Sequence, residues 1–149
     1  IKCAKSGKVQ LHKNLQVIAV YADSLKRVGA PEKQQALLVK TLNSQWHSQL
    51  VMRFGELQSS TAEKQLIQGE KWLQKHRDDP DLLLALGLIC QRLSFWGKAR
   101  DYLSAAVALR PSTQTYLSLA EVLEKIGDSN ASADTYRRGL LAAQLSQED

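Results

Sequence analysis

The chain is poor in most of what would mark a specialised class: two cysteines, three prolines, one methionine and 6% aromatic residues among 149. Cys3 and Cys90 are far apart, and neither has a C-x-x-C or Cys/His partner nearby. A disulfide framework and a zinc site are therefore not indicated. No long hydrophobic run occurs. The longest, Leu82 to Cys90, is nine residues, where a membrane helix needs about 20, and no signal-peptide pattern opens the chain. Long alternation of apolar and polar residues is also missing, which argues against sheets and for an all-α fold. Neither G-x-x-x-x-G-K-[ST] nor G-x-G-x-x-G is present, and His12, His47 and His76 are dispersed without H-E-x-x-H spacing. Nothing here assembles a nucleophile with its base, a metal set or a phosphate loop, so the reading is of a non-enzyme without a metal or cofactor. The start at Ile1-Lys2-Cys3, without Met, suggests a domain cut from a longer protein.

What is present is a mild basic excess, +5 overall with pI about 9.3. Residues 1–60 hold nine Lys/Arg against Asp23, Glu32 and Glu56, while the remainder is close to neutral. These basic residues are spread out and not interleaved with aromatics, unlike a nucleic-acid face. The expectation is a soluble domain that does not bind nucleic acid.

Helical periodicity runs from about residue 13 to 145, cut by Gly29-Ala30-Pro31, Ser59-Ser60-Thr61, Asp78-Asp79-Pro80, Ser94, Pro111-Ser112 and Gly127-Asp128-Ser129. Asp79 before Pro80 supplies a capping oxygen ahead of a residue that needs no amide partner. Ser60 with Glu63 fits a capping box. Gly29 and Gly127 suit left-handed helix exits, and His76 is expected in a last helical turn.

The segments between these breaks match one another at a fixed offset. Gly87 and Ala120, Ala99 and Ser132, Leu103 and Tyr136, and Ala106 and Gly139 are each 33 residues apart. The small-large-small order looks like the tetratricopeptide repeat. Small residues would let the two helices of a unit approach closely, with Leu103 and Tyr136 filling space between units and Pro111 ending a second helix. Shifting back by 65 aligns Ala22 with Gly87, Gly29 with Ser94, Leu38 with Leu103 and Thr41 with Ala106. Pro31 then stands near the start of a second helix. Residues 46–79 form a degenerate copy, with Gly69 where a large residue is expected and Trp72 where a small one is, a swap that conserves volume. Its first helix, near 46–57, is short.

The expected fold is thus an all-α, tetratricopeptide-like superhelical solenoid of about four antiparallel helix pairs. It forms a single domain over 1–149, with units at about 13–45, 46–79, 80–112 and 113–146. In such solenoids the first helices line a concave face that binds peptides or helices. The candidate groove takes Asp23, Lys26 and Arg27 from the first unit, Leu84, Leu88, Gln91 and Arg92 from the third, and Leu117, Glu121, Glu124 and Lys125 from the fourth. No Asn stands where a peptide-carboxylate clamp would place one. Cys90, inside the apolar run, reads as a packed thiol. Trp46, Trp72 and Trp96 read as packing residues, and Gly97 as a small residue needed beside Trp96. Asp134, Arg137 and Arg138 would give the last helix, near 131–145, a polar outer face.

Three stretches carry a narrower resemblance. Gln65-Leu66 with Glu70-Lys71-Trp72-Leu73 and His76, then Leu82 to Gly87, then Trp96-Gly97-Lys98-Ala99-Arg100-Asp101-Tyr102-Leu103 resemble the C-terminal repeat region of the proteobacterial HemY family. The similarity covers roughly residues 15–143, and Arg77 stands where family members often have Pro. The resemblance implies a scaffold, associated with haem and tetrapyrrole biosynthesis, whose protein partners are haem-pathway enzymes. It also implies a tether to the bacterial inner membrane through an N-terminal segment, with this part on the cytoplasmic face, and offers no catalytic residues. The alternative within the same resemblance is direct binding or delivery of haem or a porphyrin, whose propionates the basic N-terminal part would attract. A basic end near a membrane would also gain from anionic headgroups, about 1 kcal/mol per residue close to the surface.

Overall fold

The computed structural model describes residues 2–147, with side chains from residue 14 onward. The side chains of Cys3 and His12 lie outside the described residues. Among the described residues there are eight helices and no strand. By contacts the chain divides into two compact units, residues 1–60 and 61–149.

The first unit contains α1 (Lys2–Arg27), α2 (Pro31–Ser44) and α3 (Ser48–Glu56), each packed against the other two. Leu15, Ala19, Ala22 and Leu25 recur on one face of α1 and are buried, the spacing that puts side chains on a single helical stripe. They meet a core to which α2 gives Leu38 and Leu42 and the third helix gives Leu50, Val51 and Phe54. Pro31 occupies the first position of α2. Its missing amide hydrogen is not needed there. The short helix near 46–57 is α3.

The second unit contains α4 (Ala62–Leu73), α5 (Pro80–Arg92), α6 (Trp96–Leu109), α7 (Thr113–Ile126) and α8 (Ser129–Gln147). Contacts run α4–α5, α5–α6, α6–α7 and α7–α8, with α5 also touching α7. Because α5 is covered by α4, α6 and α7, its run from Leu82 to Gly87 is buried throughout. A helix apolar on all sides has no other stable place. Asp81 in its first turn is also buried and is paired with the Arg110 guanidinium at the end of α6.

The closest approach in this unit is at Gly87. A β-carbon built there would stand 2.6 Å from the γ and one δ carbon of Leu103. Leu103 therefore fills space inside its own helix pair, contrary to the expectation that it fills space between units. Tyr136 likewise lies within a pair: it is half-buried on α8, close enough to Glu124 and Glu121 of α7 for their charges to help raise its phenol. The other small positions behave as the repeat requires. Ala99, Ala120 and Ser132 are buried, and the Ser132 hydroxyl donates to the Ala120 carbonyl at 2.9 Å. Gly69 and Trp72 are both buried on α4, as a size swap demands.

Some of the expected helix-end signals form and others do not. The Asp79 carboxylate accepts from the amides of Asp81 and Leu82 at 2.9 and 3.3 Å. Gly29 and Gly127 have φ of 71° and 95°. The capping box at Ser60 does not form. Helix α4 starts after Thr61, and the Ser60 hydroxyl donates to Glu32 at 3.0 Å. His76 lies beyond α4, because that helix ends at Leu73, although its amide still donates to the Trp72 carbonyl. Gly97 is exposed, and a β-carbon there would meet nothing within 4 Å. Close packing beside Trp96 is not its reason, and nothing in the structure explains it. On α8, Asp134 pairs with Arg137 and Arg138 at 3.2 and 3.0 Å, but Leu140, Leu141 and Leu145 further along are exposed. Only its first half has the polar outer face expected.

The three left-handed exits are copies of one another. Ala30, Phe95 and Asp128 amides donate back to Leu25, Cys90 and Leu123 carbonyls at 2.9, 2.9 and 3.0 Å. The middle copy uses Ser94 at φ 60° where the others use glycine. A side chain in that conformation costs about 1 kcal/mol that glycine avoids. Ser94→Gly is expected to stabilise the protein by about 0.5–1 kcal/mol in urea unfolding, whereas Gly127→Ser should destabilise it.

Candidate functional site

The residues assigned to a groove by sequence fall on both compact units and form two sets. In residues 61–149, Leu84 is only 4% exposed and cannot line a surface, since α5 is enclosed at that point. Leu88, Gln91 and Arg92 are half-buried, while Glu121, Glu124 and Lys125 on α7 are exposed, as is Leu117. Gln91 donates its side-chain amide to the Glu121 carboxylate at 3.0 Å, so α5 and α7 present these two residues side by side. The Lys125 ammonium lies 6.0 Å from the Trp96 ring centre, within range of a cation–π attraction. Burial lowers the pKa of Arg92. The arrangement is a mixed, mainly acidic strip along α7, bordered by Leu117.

A separate polar cluster sits on α4 and α6. One Glu70 carboxylate oxygen accepts from Lys98 Nζ at 2.9 Å and from the Tyr102 hydroxyl at 2.8 Å. Burial works against the charged form of Glu70, but these two donors bring its pKa below the ordinary value. Burial and the neighbouring Glu70 carboxylate push the Tyr102 phenol up. The nearby Cys90 thiol is fully buried, and burial raises it to about 11. A thiol so protonated is not a nucleophile at neutral pH, so Cys90 is the packing residue its apolar run implies.

In residues 1–60, Asp23 is not an open groove residue. Arg53 grips it with two parallel hydrogen bonds, Nε to one carboxylate oxygen at 2.9 Å and a terminal nitrogen to the other at 3.1 Å. The remaining terminal nitrogen of Arg53 donates to the Gln49 carbonyl at 3.2 Å. The hydrogen bonds from Arg53 hold the Asp23 carboxyl below its usual value against some burial, with smaller help from Arg27 and Lys26. Lys26 and Arg27 are exposed. Asp23, Lys26 and Arg53 border a cavity of about 410 Å³ together with Gln34, Glu56 and Leu57.

Sequence reasoning missed Gln34, Arg53, Glu56 and Leu57. A signal for Arg53 was there: Asp23 and Arg53 are 30 residues apart, as are Gln91 and Glu121. This offset joins α1 to α3 and α5 to α7, the first helices of successive units. Gln34 left no such trace, because a lone Gln on an amphipathic helix ordinarily faces solvent. Among the described residues no group of His, Cys, Asp and Glu could hold a metal ion, and no helix is long and apolar enough to cross a membrane.

The fold matches solved structures. "Crystal structure of MamA" superposes with a TM-score of 0.69 at 13% identity, over 91% of this chain and 82% of that one. "MamA MSR-1 C2" gives 0.65 at 15% identity over 97% and 92%, and "MamA AMB-1 P212121" 0.64 at 14% over 96% and 94%. No protein-family model and no curated protein matches the chain. At these identities the likeness establishes the fold, which is all-α and tetratricopeptide-like.

The Asp23–Arg53 pair is partly solvent-exposed, which limits its contribution to under about 1 kcal/mol. Because Asp23 is depressed when folded, that contribution is complete above the ordinary value of 3.8 and fades as pH falls through the lower folded value. Asp23→Asn should therefore destabilise the protein at pH 7 and lose its effect well below pH 3.8. Chemical unfolding at the two pH values, wild type against variant, checks this.

Proposed function

We propose that the chain is a non-catalytic tetratricopeptide-repeat scaffold that binds other proteins. The observation that carries this reading is the tetratricopeptide-like pairing of helices, since such folds present extended binding faces made of successive first helices. Within residues 61–149, the strip of Glu121, Glu124 and Lys125 along α7, with Leu117 beside it, is the open part of the face assigned from sequence.

The finer reading rests on the sequence resemblance alone. By it the chain is the cytoplasm-facing part of a HemY-type protein tethered to the bacterial inner membrane. Its partners are then enzymes of haem and tetrapyrrole biosynthesis. Direct haem or porphyrin binding is the competing reading, favoured by the nine basic residues against three acids in residues 1–60.

Pull-down of the intact tethered protein is expected to recover haem-pathway enzymes, and recovery should fall several-fold after combined Glu121→Lys and Glu124→Lys. Both positions are exposed, so reversal there spares the core in a way that reversal of half-buried Arg92 would not. Undiminished recovery would remove α7 from the binding face. Titration of the 149-residue chain with haem and protoporphyrin separates the competing reading: the scaffold reading expects no Soret shift at micromolar ligand, and a saturable shift would favour tetrapyrrole binding.

A further inference from the structure

On α5, Leu82, Ala85 and Leu86 are buried, and on α7 so are Thr115, Ser118 and Leu119. The offsets of 33 and 65 residues that align the repeats give both sets the same counterparts on α1, which are Val17, Val20 and Tyr21. These three are exposed, at 66, 64 and 51%. What differs is the neighbour ahead. A second helix from the preceding pair packs on each of the other two first helices, α4 on α5 and α6 on α7, whereas α1 packs on α2 and α3. Single apolar residues on a surface need no explanation, but Val17, Val20 and Tyr21 form one helical stripe, apart from the stripe that α1 buries in its own core.

The α7–α8 pair shows the converse. On α5 and α6, which α7 covers, Leu84 is buried and Val107 half-buried. Their counterparts 33 residues on, Leu117 and Leu140, are exposed at 41 and 67%. A β-carbon built on Gly139 would lie 4.0 Å from Leu117, so Leu117 reaches α8 at the residue before Leu140. Terminal repeats of a solenoid ordinarily turn a polar face outward. Here α1 presents valines and a tyrosine, and the α7–α8 pair presents leucines.

We propose that these two apolar faces are the halves of one contact between copies of this chain: the α7–α8 pair of one copy packs on α1 of the next as α5 and α6 pack on α7 within the chain. The repeat itself identifies the occupant. Among the described residues α1 is a first helix with no second helix ahead of it, and α8 is a second helix with no first helix after it. Each therefore presents the positions that its counterpart covers with the other kind of helix, which continues the interface already formed between successive units. Because the two faces differ, the contact is heterologous and propagates unless it closes into a ring. Leu117, which borders the acidic strip of α7, is shared by the two surfaces. The contact goes beyond the scaffold reading and does not depend on it.

Sedimentation equilibrium of the 149-residue chain tests the contact. The wild-type mass is expected to rise with concentration from 16.6 kDa to that of two or more chains. Val17→Glu combined with Val20→Glu should give a monomer, and so, separately, should Leu140→Glu. All three positions are exposed, so both variants should keep wild-type helicity by circular dichroism. An equimolar mixture of the two variants should return to the mass of two chains and stop there, because each supplies the face that the other has lost. A wild type that stays at 16.6 kDa at every concentration would overturn the contact. Association that survives in either variant alone would also overturn it, since like faces would then be meeting. So would a mixture of the variants that remains monomeric.

Discussion

Leu103 lies where a side chain on residue 87 would have to be, with its carbons 2.6 Å from the β-carbon that Gly87 lacks. That one omission lets α5 and α6 come close enough for Leu103 and Ala99 to be wholly buried. Burying a leucine of this kind is worth about 1.5–3 kcal/mol, more than the helix propensity a mid-helix glycine gives up, about 1 kcal/mol. The same exchange appears at the α7–α8 pair, where a β-carbon on Gly139 would press on Tyr116 at 3.1 Å and Ser132 bonds to the Ala120 carbonyl. Close pairing leaves α5 enclosed from Leu82 to Gly87.

What could be read in advance follows from how local each cause is. The offset of 33 was visible because each small position needs its own large neighbour in every copy. The caps at Asp79, Gly29 and Gly127 were visible because they depend on one or two residues. Ser60 was misread for the opposite reason: its hydroxyl is taken by Glu32, 28 residues away, and a capping motif carries no information about a distant competitor. Leu84 is a core residue and not the groove residue expected, because periodicity alone cannot tell a two-sided helix from one covered all round, as α5 is from Leu82 to Gly87. Leu103 was correctly read as core but assigned to the wrong neighbour, since large-to-small complementarity does not say which helix supplies the small residue.

The ties between first helices explain why only part of the candidate surface emerged. Asp23 with Arg53, and Gln91 with Glu121, each join residues 30 apart, and each uses up a polar group that looked available. Arg53 neutralises Asp23 and holds it in place, while Lys26 near it stays exposed. In residues 61–149 Glu121 is partly engaged by Gln91, and Glu124 lies next to Tyr136. Available chemistry is therefore what remains after the repeats have tied themselves together.

The dependence of the helix pairs on Gly87 and Leu103 is tested most directly by a double-mutant cycle on urea unfolding. Gly87→Ala in the native background should destabilise by about 1–3 kcal/mol through overpacking, and Leu103→Ala by about 2–5 kcal/mol through the cavity it leaves. In the Leu103→Ala background the added methyl group should cost nothing or stabilise, giving a coupling of at least about 1 kcal/mol between the two sites. Additive effects, with Gly87→Ala equally costly in both backgrounds, would contradict the close approach of α5 and α6 on which the rest of this unit depends.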